Sequence, residues 1–173
     1  RKLMDMEFDE NIWSSKEAMI PKFLPKDLII VGSGAIGIEY ASIYNALGTN
    51  VTVFETQDRI LPQFDKDIST EAKKIFEKKG IKFELNATIE KINKKNKSVI
   101  VNYNKNKEVT SEALIVSIGV VPNISKDITD EFSLNLDKSG YLETTNEGMT
   151  NYNNLFAIGD ISGGPWLAHK ASH

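Results

Sequence analysis

The stretch Leu28-Ile29-Ile30-Val31-Gly32-Ser33-Gly34-Ala35-Ile36-Gly37-Ile38-Glu39, continued from Tyr40 to Glu55 as YASIYNALGTNVTVFE, decides the fold. Leu28 to Val31 is a short apolar run of the kind buried in a parallel sheet. Gly32, Gly34 and Gly37 follow at the spacing G-x-G-x-x-G. Ile36, Tyr40, Ile43, Tyr44 and Leu47 then recur at helical spacing, and Gly48 stands where such a helix ends. Val51, Val53 and Phe54 predict a second strand with Glu55 at its carboxyl end.

Each part of this pattern does physical work. Gly32 permits the tight turn out of the strand. Gly34 has no side chain to keep a pyrophosphate off the backbone, and Gly37 lets the helix approach the sheet. The helix start, Gly32 to Glu39, offers free N–H groups and the positive dipole end to phosphates. Glu55 lies about twenty residues beyond the first glycine, where an acid accepts hydrogen bonds from a ribose diol. A carboxylate there repels the 2′-phosphate of NADP by about 1–4 kcal/mol. Thr56 and Gln57 bring no compensating charge, and Arg59 is the nearest cation. The pattern therefore points to NAD. A glycine turn that binds nothing and an ordinary strand-end acid are the bland alternatives; the surrounding strand, helix and strand weigh against them.

Outward from this stretch, bulk composition narrows the classes. The chain has 173 residues, 40% hydrophobic, with a net charge of −3. Its acids and bases are interspersed, which gives no argument for nucleic acid or an anionic membrane. No apolar run is long enough to span a membrane. Arg1 to Asp5 lacks the apolar core of a signal peptide, and without an initiator Met the chain reads as an internal piece of something longer. There is no cysteine, so this chain carries no disulfide, cysteine metal site or thiol redox chemistry.

Before the decisive stretch, Trp13-Ser14-Ser15-Lys16-Glu17-Ala18 predicts a short serine-capped helix, broken by Pro21 and Pro25. Trp13 reads as packing. After Glu55, a loop with Pro62 leads through Asp65-Lys66-Asp67-Ile68-Ser69 into a helix that runs to about Lys79, with Ile68, Ala72, Ile75 and Phe76 on one face and Gly80 as its C′ residue. Ile81 to Leu85 is a third strand and completes β-α-β-α-β, half of a doubly wound sheet. Thr88–Ile92, Ser98–Tyr103 and Glu108–Thr110 alternate as a three-stranded meander with lysine-rich turns, read as solvated tips because no aromatic platform accompanies them. Ala113 to Ile118 is a further apolar strand, ended by Gly119 at the ligand-binding edge of a parallel sheet. Tyr141–Thr144 and Leu155–Asp160 read as later strands. Asp160, beside Gly163-Gly164-Pro165 and Trp166 to Ala171, is placed either to accept a bond from a polyol or to cap a helix.

Taken together, the Gly32–Glu39 fingerprint, Glu55, the meander, Gly119 and Ala157-Ile158-Gly159-Asp160 resemble the two-dinucleotide-binding flavoprotein disulfide reductases. Gly164-Pro165-Trp166-Leu167-Ala168-His169-Lys170-Ala171 is similar to the G-P-M-L-A-H-K-A pattern of the dihydrolipoamide dehydrogenase family. The resemblance implies a Rossmann-like NAD domain over about 24–122, inserted in an FAD domain of which 1–23 and 123–173 are pieces. It implies that Gly32, Ser33, Gly34, Ala35, Ile36, Gly37, Ile38 and Glu39 hold the NAD pyrophosphate, with Glu39 toward the nicotinamide. By the same likeness Glu55 binds the adenine ribose, Ile89 borders the adenine, and Gly119 lies near the nicotinamide. Asp160 would bind the ribityl chain of FAD, with Trp166, Leu167, Ala168 and His169 passing the flavin.

The implied reaction is oxidation of protein-bound dihydrolipoamide through a redox disulfide and FAD, with hydride passed to NAD. The implied partners are lipoyl domains of 2-oxo acid dehydrogenase complexes and a second copy in a homodimer. The implied compartment is the bacterial cytoplasm or the mitochondrial matrix. The chain departs from the pattern in lacking the redox cysteines and a second, flavin-binding glycine fingerprint. The dimerisation domain with its His–Glu pair is also absent, so neither His169 nor His173 takes that role. Trp166 replaces the usual Met, and Gly119-Val120-Val121-Pro122-Asn123 lacks the arginine many relatives have there. The expectation is a central piece, inactive alone. Another flavin-linked NADH oxidoreductase and a stand-alone NAD-binding module are the competing readings.

Overall fold

The computed structural model describes residue 3 and residues 6–172; His173 lies outside the described residues. The chain divides into two compact units, Arg1–Gly119 and Val120–His173.

The first unit is built on a five-stranded parallel sheet. Its strands are β1 (Ile12–Trp13), β2 (Asp27–Val31), β3 (Asn50–Phe54), β4 (Lys82–Glu84) and β8 (Ala113–Val116), in the order β1-β8-β2-β3-β4. β2 pairs in register with β3 (Ile30 beside Val53) and with β8 (Ile30 beside Ile115). Helices α2 (Ala35–Ala46) and α3 (Lys66–Lys78) make the crossovers from β2 to β3 and from β3 to β4. The chain then passes through an antiparallel meander, β5 (Ile89–Lys95), β6 (Ser98–Tyr103) and β7 (Lys107–Ser111), and returns as β8 on the other side of β2. The winding direction therefore reverses between β2 and β8, the switch point where open α/β sheets leave a crevice.

Strand alternation divides the sheet's side chains between two cores. Leu28, Ile30, Val51, Val53 and Ile115 meet Tyr40, Ala41 and Tyr44 of α2. Ile29, Val31, Phe54, Leu114 and Val116 meet Val99, Val101 and Tyr103 of the meander. The expected β-α-β-α-β half and the meander are thus present, with the meander covering the face opposite α2.

Two helical faces differ from expectation. In α2, Tyr40 and Tyr44 are buried with Gly37, Ile38 and Ala41, while Ile43 and Leu47 are exposed. The helix comes close to the end of the sheet at Gly37, and both tyrosines sit in the core. In α3 the predicted stripe exposes Ile68 and Ile75; Phe76 packs against the core and Ser69 is the buried residue.

The lead-in joins this unit. Ile12 and Trp13 pair with Leu114 and Ile115 of β8. Helix α1 (Ser15–Met19) starts at a Ser14/Glu17 capping box, as its sequence predicts. Two phenols of α2 tie it down: Tyr40 donates to the Ser15 carbonyl at 2.6 Å and Tyr44 to the Ala18 carbonyl at 2.7 Å. Burial, with Tyr40 nearby, pushes the Tyr44 phenol up to about 12, so it stays a donor at physiological pH.

The second unit carries helices α4 (Lys126–Glu131) and α5 (Ala168–Ser172) and a 3-10 turn, Gly159–Ser162. The strands expected at Tyr141–Thr144 and Leu155–Asp160 do not form. Each segment finds one isolated bridge, Leu136 to Leu142 and Met149 to Phe156, with no continuing ladder beside it. Asp160 sits in the 3-10 turn rather than at a strand end.

Tyr44→Phe removes one buried hydrogen bond and should cost about 1 kcal/mol. The check is a lower urea midpoint with an unchanged slope.

Candidate functional site

The turn at the switch point carries three glycines, two of which are fixed by close contacts and one of which is not. Gly32 has φ +100°, and a Cβ there would lie 2.6 Å from the Ser117 carbonyl oxygen. A Cβ on Gly37 would lie 2.0 Å from the Gly32 carbonyl oxygen and 2.7 Å from the Ser117 hydroxyl. Both positions are glycine because the turn, α2 and the end of β8 are in direct contact. Ser117 fastens this junction by placing its hydroxyl 2.9 Å from the Val31 carbonyl and 3.0 Å from that of Gly32. Gly34 is different. It has ordinary φ, −66°, and a Cβ there would meet only the Gln63 side chain, at 3.9 Å. Among the described residues nothing crowds a side chain at that position, which borders open space.

Gly34 is also the N-cap of α2, and no side chain caps the helix. The first-turn N–H groups are therefore left for an external acceptor. Ala35 and Glu39 are exposed, Ile36 is half-buried, and Ile38 is buried.

Glu55 closes the other side. Only 8% of it is exposed. Its Oε2 accepts from the Ser33 N–H (3.0 Å) and the Ser33 hydroxyl (2.7 Å). Its Oε1 accepts from the Gln57 N–H (2.9 Å) and the Thr56 hydroxyl (3.1 Å). Burial alone would raise the carboxyl pKa, but these bonds outweigh it and hold Glu55 below the usual carboxylate value. Ser33 is 0% exposed, and its carbonyl accepts from the Leu61 N–H at 2.9 Å. Arg59 donates to the Pro62 carbonyl at 3.1 Å.

The fingerprint and Glu55 are thus brought together through Ser33. Ile89 begins β5, half-buried against the meander-side core, and Gly119, φ +111°, follows the end of β8. The roles of Ser33 and Ser117 as fasteners were missed in the sequence. The available signal was a hydroxyl between two glycines and another just after an apolar strand.

In the second unit, Asp160, Trp166, Leu167, Ala168 and His169 are exposed. Trp166 stacks on Tyr141, with ring centroids 6.0 Å apart. The Lys170 ammonium donates to the Gly163 carbonyl and approaches the Gly164 carbonyl at 3.4 Å, which draws the glycine turn around it. Among the described residues no cluster of His, Cys, Asp or Glu is arranged to hold a metal.

The family model described as "Pyridine nucleotide-disulphide oxidoreductase" matches residues 4–173. The chain belongs to this family. Its members use FAD and NAD(H). Among curated pyridine nucleotide-disulphide oxidoreductases, the chain is 39% identical to a dihydrolipoyl dehydrogenase of Rhizobium etli, over 94% of this chain and 34% of the relative. It is 36% identical to one of Zymomonas mobilis, over 100% of this chain and 38% of the relative. Among solved structures, LpdA of Mycobacterium tuberculosis superposes with a TM-score of 0.88 at 29% identity, over 99% of this chain and 38% of that one. The flavoprotein disulfide reductase RclA of Escherichia coli gives 0.86 at 27%, over 93% and 37%. The chain thus spans a little over a third of the length of these relatives.

The depressed Glu55 carboxyl makes a pH prediction. Its unfolded counterpart titrates near 4.5, and the native value is lower. The stability it contributes is complete above pH 4.5 and is lost as pH falls through the native value. Glu55→Gln, which has no charge to lose, should show a shallower fall of thermal midpoint below pH 4.5 than the parent chain.

Proposed function

We propose that this chain is the NAD-binding portion of a dihydrolipoyl dehydrogenase-type flavoenzyme. The observation that carries the reading is Gly34. The other two fingerprint glycines answer to internal contacts, while Gly34 faces open space at an uncapped helix start. A pyrophosphate fits that combination: it needs bare backbone to approach and N–H groups to receive its charge. Gly32 to Glu39 form the turn and helix start that would receive it, and Ala35 and Ile36 begin the first helical turn. Glu55, held ionised, receives the adenine ribose and repels a 2′-phosphate, which favours NAD over NADP. Ile89 borders the adenine and Gly119 the nicotinamide end.

Bound there, NAD would be the hydride acceptor and FAD the carrier of electrons from a dithiol, chemistry that belongs to the cofactors. The protein's part is to fix the nucleotide's phosphates and sugar. Asp160 would hydrogen-bond the ribityl chain of FAD, with Trp166, Leu167, Ala168 and His169 along the flavin. With no cysteine in the chain, the dithiol step depends on residues elsewhere, and the chain alone does not turn over. On this reading about 24–122 is the NAD domain, with 1–23 and 123–173 belonging to the FAD domain. The complete enzyme acts as a homodimer on lipoyl domains of 2-oxo acid dehydrogenase complexes, in the bacterial cytoplasm or the mitochondrial matrix. The likeness to dihydrolipoyl dehydrogenases along almost the whole chain supports this assignment.

Calorimetric titration tests the nucleotide site. Gly34→Ala should leave stability within about 0.5 kcal/mol of the parent. It should weaken NADH roughly tenfold or more, the scale of one lost contact to a charged group. Unchanged NADH affinity in this variant would remove the reading. Formation of NADH from dihydrolipoamide by the purified chain would refute its inactivity.

A further inference from the structure

The Glu55 carboxylate receives four hydrogen bonds from the chain itself, and a carboxylate has about four acceptor positions. A ribose diol brings two more donors to the same group. Nucleotide binding at Glu55, the site proposed above, must therefore displace something. The four donors are not equally replaceable. The Ser33 and Gln57 N–H groups belong to the backbone of the turn and the strand end. The Ser33 hydroxyl is wholly buried, so releasing it would strand a polar group away from water. Thr56 is exposed, and its hydroxyl can turn from Oε1 to solvent at little cost.

We propose that the Thr56 hydroxyl is a placeholder that the ribose displaces from Glu55 Oε1, while the Ser33 hydroxyl stays on Oε2 as the positioning group. The two hydroxyls then have opposite effects on affinity. Thr56 competes with the diol and sets a ceiling on nucleotide affinity. Ser33 keeps the carboxylate aimed and ionised, and so raises it.

The experiment is calorimetric titration of the whole chain with ADP and with 2′,3′-dideoxy-ADP, which lacks the diol. Thr56→Val keeps the shape and removes the hydroxyl; Thr56→Ala is the second variant, at an exposed position. Both should bind ADP roughly three- to tenfold more tightly than the parent, the value of one modest hydrogen bond. Binding of 2′,3′-dideoxy-ADP should not change. Ser33→Ala should weaken ADP. Weaker or unaltered ADP binding in both Thr56 variants overturns the exchange, as does equal tightening of both ligands. Tighter ADP binding by Ser33→Ala overturns the positioning role. A parent chain that prefers ADP to 2′,3′-dideoxy-ADP keeps the ribose site even when the exchange fails. A parent chain that binds neither overturns both.

Discussion

The first unit depends on one close approach. The start of α2, the turn after β2 and the end of β8 meet at a distance that admits no Cβ on Gly37 and no L-residue conformation at Gly32. That contact fixes where the helix begins, and hence where its unpaired N–H groups point. It also sets which residues of α2 reach the sheet. Close packing over Gly37 and Ala41 turns Tyr40 and Tyr44 toward the core and leaves Ile43 and Leu47 in solvent. The tyrosine hydroxyls then hold α1. One steric constraint at the crevice thus governs the packing of elements far along the chain.

Much of this was legible in the sequence, because β2, β3 and β8 are largely apolar and their alternation matches two buried faces. The meander was legible for the same reason: Val99, Val101 and Tyr103 alternate with half-exposed residues along β6. Helical faces were less so. Periodicity identifies an apolar stripe but cannot say that a glycine contact rotates the helix away from Ile43 and Leu47. The second unit was the least legible. Tyr141–Thr144 and Leu155–Asp160 have strand-like composition, but a strand needs a neighbour, and local sequence does not report one.

The site divides in the same way. The three glycines and Glu55 could be read from their spacing along the chain. Ser33, Thr56 and Ser117 could not, because a hydroxyl's role depends on which carbonyl or carboxylate lies opposite it in space. Ser33 in particular joins the two halves of the motif. It stands between the first two glycines, yet its side chain bonds to the acid at the end of the next strand. The fingerprint and the acid are therefore one hydrogen-bonded object.

The two-residue strand β1 has a consequence out of proportion to its size. Without Ile12 and Trp13, β8 would be an outer strand of an apolar parallel sheet, with its amide edge open to another chain. Asn11 strengthens this cover by donating from its side chain to the Glu112 carbonyl at 2.8 Å, and its own carbonyl receives the Leu114 N–H. The lead-in is thus a guard against self-association. A shortened chain beginning at Lys26 would keep the glycine turn, α2 and Glu55 intact and still be the more prone to form fibrils.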